Sequence, residues 1–117
     1  MFTIAFITKR IAGMSLEEFT NHYQTTHYKL GSSLPGLLAY RQALIAHGCQ
    51  LWSDPESYPG YDAFSTYRFA SRQAADHAFA SPEGLQLLDD TGTFMDWPSV
   101  LSIPVEDIKD FVAPPRG

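Results

Sequence analysis

The 117 residues hold 44% apolar and 18% charged side chains, enough for one packed core and too few for a second. A formal net charge of −5, with only 8 Lys and Arg scattered along the chain, argues against a phosphate-reading surface and so against nucleic acid as a partner. The single cysteine, Cys49, excludes an intrachain disulfide and a cysteine-rich metal site, and points to a reducing, cytoplasmic compartment.

The opening "MFTIAFITKRIAG" lacks the basic start and uninterrupted apolar core of a signal peptide. No segment reaches the roughly 18 apolar residues of a membrane span. Within it, Phe2 to Lys9 alternates Phe2, Ile4 and Phe6 against Thr3, Ala5 and Ile7, the two-residue period of a strand. Ser15 precedes Glu18 by three residues, the spacing of a capping box, so a helix begins at Ser15. Leu16, Phe19, Tyr23, His27 and Leu30 then recur at three- and four-residue steps, giving one inward stripe, with Glu17, Asn21 and Gln24 facing away. Gly31, ahead of Pro35, is the expected end of this helix.

Leu37 to Ala46 and Asp62 to Phe69 read as two further strands. The segment between them, His47 to Tyr61, carries two prolines, two glycines and the aromatics Trp52, Tyr58 and Tyr61, a composition expected of a packed flap beside a site. Ser71 caps a helix through Ala80, and "SPEG" restarts it with Ser81 as cap and Pro82 in the first turn. Val100 to Val112 closes the chain as an extended stretch in which Pro104 suits an edge strand or bulge. The order β-α-β-β-α-β predicts an α+β, ferredoxin-like domain over residues 1–112 with a tail at 113–117, its four-stranded antiparallel sheet carrying helices on one face. Apolar residues on both sides of the strands predict a homodimer packed sheet to sheet.

At 100° per residue, His27 lies about 80° and Leu30 about 20° round the helix from Phe19, and His22 about 60° in the opposite sense. His27 therefore belongs to the inward stripe and His22 to its border. Their five-residue separation is not the three or four that sets two imidazoles over one metal, so no metal is expected. An inward histidine is either a core residue bonded to a carbonyl or a site for proton transfer. His77 reads as solvent-facing, and His47 as uninformative. Asp62 is a turn residue or an acid that orients a histidine. Phe6, Tyr23, Phe64, Tyr67, Phe79 and Trp97 are candidates for an aromatic pocket wall, although strand alternation forbids Phe64 and Tyr67 from facing it together. Glycine-rich phosphate loops and a G-x-S-x-G elbow do not occur, so nucleotide cofactors and serine-hydrolase chemistry lack their signatures.

"MSLEEFTNHYQTTHYKL" with "LPGLLAY", followed by "YDAFSTYRFAS", resembles the EthD-like family of dimeric α+β barrel proteins, whose relatives include methylmuconolactone methylisomerases and fungal polyketide-tailoring decarboxylases. The resemblance implies that His27 faces a pocket between helices and sheet and that Tyr40 shares it. Together they imply cofactor-independent isomerisation, cyclisation or decarboxylation of an enolisable aromatic or lactone compound, with His27 as base and Tyr40 as the donor to the developing oxyanion. Alternatives that remain open are a non-catalytic dimeric binding or accessory protein, and haem binding or cofactor-free oxygenation, which other dimeric α+β barrels carry out.

Overall fold

A computed structural model describes residues 1–46 and 60–116; Trp52 and Tyr58 of the expected flap lie outside the described residues. Four strands, β1 (Phe2–Thr8), β2 (Ala39–Leu44), β3 (Ala63–Phe69) and β4 (Leu101–Glu106), form one antiparallel sheet in the order β2-β3-β1-β4. The helical layer consists of α1 (Leu16–His22), a π-helical turn (Tyr23–His27), α2 (Tyr28–Gly31), α3 (Arg72–Ala80) and α4 (Pro82–Phe94). This is the expected α+β, ferredoxin-like arrangement.

Local signals act as read. Ser15 caps α1 with both halves of the capping box formed, and Ser71 and Ser81 accept from Ala74 and Gly84 backbone N–H groups to start α3 and α4. Gly31 ends the first helical run. Pro104 sits on β4, an edge strand among the described residues, the position at which a missing N–H donor is tolerated. The last strand is shorter than the extended stretch Val100 to Val112, because Glu106 already stands opposite Phe2, where β1 begins. Leu16, expected on the inward stripe, is exposed at the first position of α1, whereas Phe19, Tyr23 and His27 are buried and Leu30 is half-buried.

Register assigns the faces. Phe6 and Thr8 of β1 stand beside Ser65 and Ala63 of β3, and Tyr40 and Gln42 of β2 stand beside Tyr67 and Ser65. This face carries two adjoining core clusters. One joins Phe2, Tyr67 and Phe69 to Ala75, Ala78 and Leu87; the other joins Phe19, Tyr23 and Phe94 to Ala63 and Met95. The opposite face presents Ile7, Phe64, Leu101, Ile103 and Val105, and no helix among the described residues covers it.

Candidate active site

Between the sheet and α4 lies a cavity of about 280 Å³. The sheet contributes Phe6, Thr8, Ser65, Tyr67 and Ser102, and the helical layer contributes His27, Phe79, Leu87, Leu88 and Thr91. Met95, Trp97 and Val100 close one end, where Trp97 remains half exposed. Among the described residues the walls are chiefly apolar with a few hydroxyls and one imidazole, and no Lys, Arg, Asp or Glu lines them. Such a space suits an uncharged, single-ring compound better than an anion, which would lose its hydration without a counter-charge.

His27 is delivered by the π-helical turn. In that turn the Tyr28 N–H reaches back five residues to the Tyr23 carbonyl, which also accepts from Gln42 Nε2 at 2.6 Å. Widening the turn by one residue brings positions five apart onto one face. His22 and His27, which a regular α-helix would hold far apart in angle, therefore both meet Asp90 of α4. His27 Nδ1 lies 2.8 Å from Asp90 Oδ2, and His22 Nε2 lies 2.8 Å from Asp90 Oδ1. His22 keeps the border position expected of it, with its side chain 30% exposed; the π turn changes only the angle between His22 and His27.

As a carboxylate Asp90 can only accept, so each facing ring nitrogen carries a proton. In neutral His27 the unprotonated nitrogen is then Nε2, which has no hydrogen-bond partner among the described residues. Burial holds the His27 imidazolium below its ordinary pKa; the hydrogen bond and charge of Asp90 oppose that effect, and the charge of His22 adds to it. The ring is packed between Tyr23, at 5.9 Å, and Phe94, at 4.9 Å between centroids. It is thus a ring held in place, with burial favouring its neutral form.

Tyr67 is the phenol on the cavity wall. Tyr40 is not among the lining residues: it stacks on Tyr67 at 4.4 Å and on Tyr28 at 5.7 Å, and its hydroxyl accepts from Gln42 Nε2 at 2.8 Å. Burial pushes the Tyr40 phenol up, with hydrogen bonding to the Tyr67 hydroxyl and to Gln42 working the other way. The Tyr67 phenol is pushed well up, again mainly by burial. Both stay protonated near neutrality and can donate.

The remaining candidates divide cleanly. Phe6, Phe79 and Trp97 line the cavity with Tyr67. Phe64 belongs to the opposite sheet face, as alternation against Ser65 and Tyr67 requires. Tyr23 lies beneath the cavity and directs its hydroxyl to the Phe64 carbonyl at 3.4 Å. Asp62 is held away from the site: it accepts from the Arg10 backbone N–H at 2.9 Å and faces the Arg10 guanidinium at 3.5 Å. His77 is exposed, as read.

Asp90 is the residue that sequence reasoning missed. A signal was present, because Leu87, Asp90, Thr91 and Phe94 share one helical stripe in "LQLLDDTGTF", which makes Asp90 an acid on an inward face. Among the described residues no group of three or more His, Cys, Asp or Glu is placed to hold a metal. The two histidines face different oxygens of one carboxylate rather than a common point.

Residues 11–98 match the EthD domain family. The chain belongs to the EthD family. An ethyl tert-butyl ether D (EthD) family protein from Bacillus halodurans C-125 superimposes with a TM-score of 0.73 at 17% identity, over 92% of this chain and 100% of that one. A hydroxynitrile lyase from Passiflora edulis gives 0.74 at 10% identity over 95% and 96%. A dimeric ferredoxin-like protein from Thermobifida fusca gives 0.66 at 10% identity over 89% and 88%. At such identities these likenesses show the fold. No curated protein sequence matches the chain.

Proposed function

We propose that this EthD protein is a cofactor-independent lyase or isomerase that takes a proton from an uncharged, single-ring aromatic or lactone compound made acidic by a carbonyl group. The observation that carries this reading is the buried His27, held by Asp90 with Nδ1 protonated so that Nε2 is the basic atom left to an apolar cavity. Tyr67, rather than Tyr40, is the donor to the oxygen that becomes negative, because Tyr67 is the phenol on the wall. Tyr40 and Gln42 act behind it by fixing its ring and hydroxyl. Ser65 and Thr91 supply further hydroxyls for orientation. The reaction named for the Passiflora neighbour, a lyase step on a small molecule, is compatible with one base and one phenol.

The functional unit is a homodimer. Its support is the uncovered apolar sheet face and the dimeric state of the Thermobifida neighbour.

Proton abstraction can be assayed without knowing the later step. Monocyclic phenolic ketones and muconolactone-like lactones are incubated with the protein in D₂O, and exchange at the carbon beside the carbonyl is followed by proton NMR. The wild-type protein should accelerate exchange of at least one compound. His27→Ala should abolish it, and Tyr67→Phe should lower it by roughly a hundredfold. Exchange by His27→Ala at the wild-type rate, or no acceleration of any compound by the wild-type protein, would overturn the reading.

A further inference from the structure

His22 has no place on the cavity wall, yet its Nε2 meets the same carboxylate as the site histidine, at the same 2.8 Å distance. The two rings differ in their access to water. The His22 side chain is 30% exposed and that of His27 is 5% exposed, with Asp90 between them at 10%. Phe94 packs against both imidazoles, 4.4 Å from His22 and 4.9 Å from His27 between centroids, and so ties the two rings to one side chain of α4. The arrangement is a linear clamp running from solvent to cavity: His22, Asp90, His27.

We propose that His22 is a positioning residue for His27, fixing the Asp90 carboxylate from its solvent side and setting, by its own charge state, how much of that carboxylate's negative charge His27 receives. This inference rests on the reading of His27 as the base. A carboxylate with two lone-pair-bearing oxygens can hold two donors at once. With His22 neutral, Asp90 is free to stabilise the His27 imidazolium; with His22 protonated, the positive ring both neutralises Asp90 and repels a second charge. Through that one carboxylate the charge of His22 works against a charge on His27 and so favours the neutral cavity imidazole. The groups facing the clamp are Asp90 from α4, Tyr23 and Phe94 against the rings, and Tyr40, whose phenol also feels Asp90.

The test uses nitrogen-15 NMR of the full chain, with histidine titration and tautomer read from the ring nitrogens, in wild type and in His22→Gln and His22→Phe. Glutamine keeps an N–H donor for Asp90 and loses the charge; phenylalanine loses both. His27 should titrate at higher pH in both variants than in wild type. Its neutral form should remain the single Nδ1–H tautomer in His22→Gln and become a mixture in His22→Phe. A merely structural His22 would lower the melting temperature and leave these signatures where they were. If His27 keeps both its titration midpoint and its tautomer in His22→Gln and in His22→Phe, the proposal is wrong, and if His22→Phe does not fold, an unmoved midpoint in His22→Gln overturns it alone. The measurement needs no substrate, so a wild-type protein that exchanges no compound refutes the base role separately.

Discussion

His27 is the residue on which stability and chemistry meet. An unfolded histidine accepts a proton near pH 6.5, and burial depresses the folded value despite the opposing pull of Asp90. Below the unfolded value the denatured chain binds more protons than the native one. The stability contributed by neutral His27 is therefore present above about pH 6.5 and is lost as pH falls through the folded pKa. Melting temperatures measured from pH 7 down to pH 5 should decline, and His27→Gln should flatten that decline, because glutamine keeps an N–H donor for Asp90 and removes the ring that takes up the proton. An equally steep decline in His27→Gln would assign the acid sensitivity to another group. The inward position of His27 was legible from its place on a stripe with Phe19 and Tyr23. Its partner was not, because Asp90 lies 63 residues away and nothing in a linear pattern pairs one inward acid with one inward histidine. Tyr40 illustrates the same limit: the family resemblance placed it in the pocket, and only the packed structure shows that it stacks on Tyr67, the ring that lines the cavity.

At the level of elements, the caps at Ser15, Ser71 and Ser81 and the break between α3 and α4 were written locally, in residue types whose side chains compete for the first free N–H groups of a helix. The π turn was not, because its hydrogen bond depends on tertiary context: the Tyr23 carbonyl is shared with Gln42 from β2. That one widened turn converts a five-residue spacing, which argues against cooperation on an α-helix, into two rings on one carboxylate. The junction of α3 and α4 makes a separate demand. A Cβ on Gly84 would stand 2.4 Å from the Phe79 carbonyl oxygen and 2.5 Å from that of Ala78, and backbone atoms cannot step aside as a side-chain tip can. Gly84→Ala should therefore destabilise by about 1–3 kcal/mol despite alanine's better helix propensity. Urea denaturation would measure it; a neutral or stabilising result would show that the junction can open without loss. Because Leu87, Leu88 and Thr91 of α4 line the cavity, a shift of this helix should also weaken the proton exchange proposed for His27.

For the whole molecule, the strand order and the one-sided helical layer followed from the β-α-β-β-α-β sequence, and the apolar character of both strand faces was equally legible. Composition could not say which residues stay uncovered. Ile103 is 44% and Val105 40% exposed on β4, Leu101 is 46% exposed, and Ile7 and Phe64 continue the same face across β1 and β3. A contiguous apolar surface on a sheet is costly in water and is relieved when a second copy covers it. Solution scattering should therefore give a mass near twice the 13.1 kDa of one chain. Ile103→Glu places a charge in the middle of that surface and, at an already exposed position, spares the core of the single chain. Burying an unpaired carboxylate against the partner's apolar face is far costlier than leaving it in water, so the variant should shift to monomer at micromolar concentration and retain the wild-type circular dichroism. A variant that stays dimeric would place the interface elsewhere. A wild-type monomer would remove the dimer while leaving the cavity of one chain, with His27, Asp90 and Tyr67 all drawn from that chain, as the complete unit of chemistry.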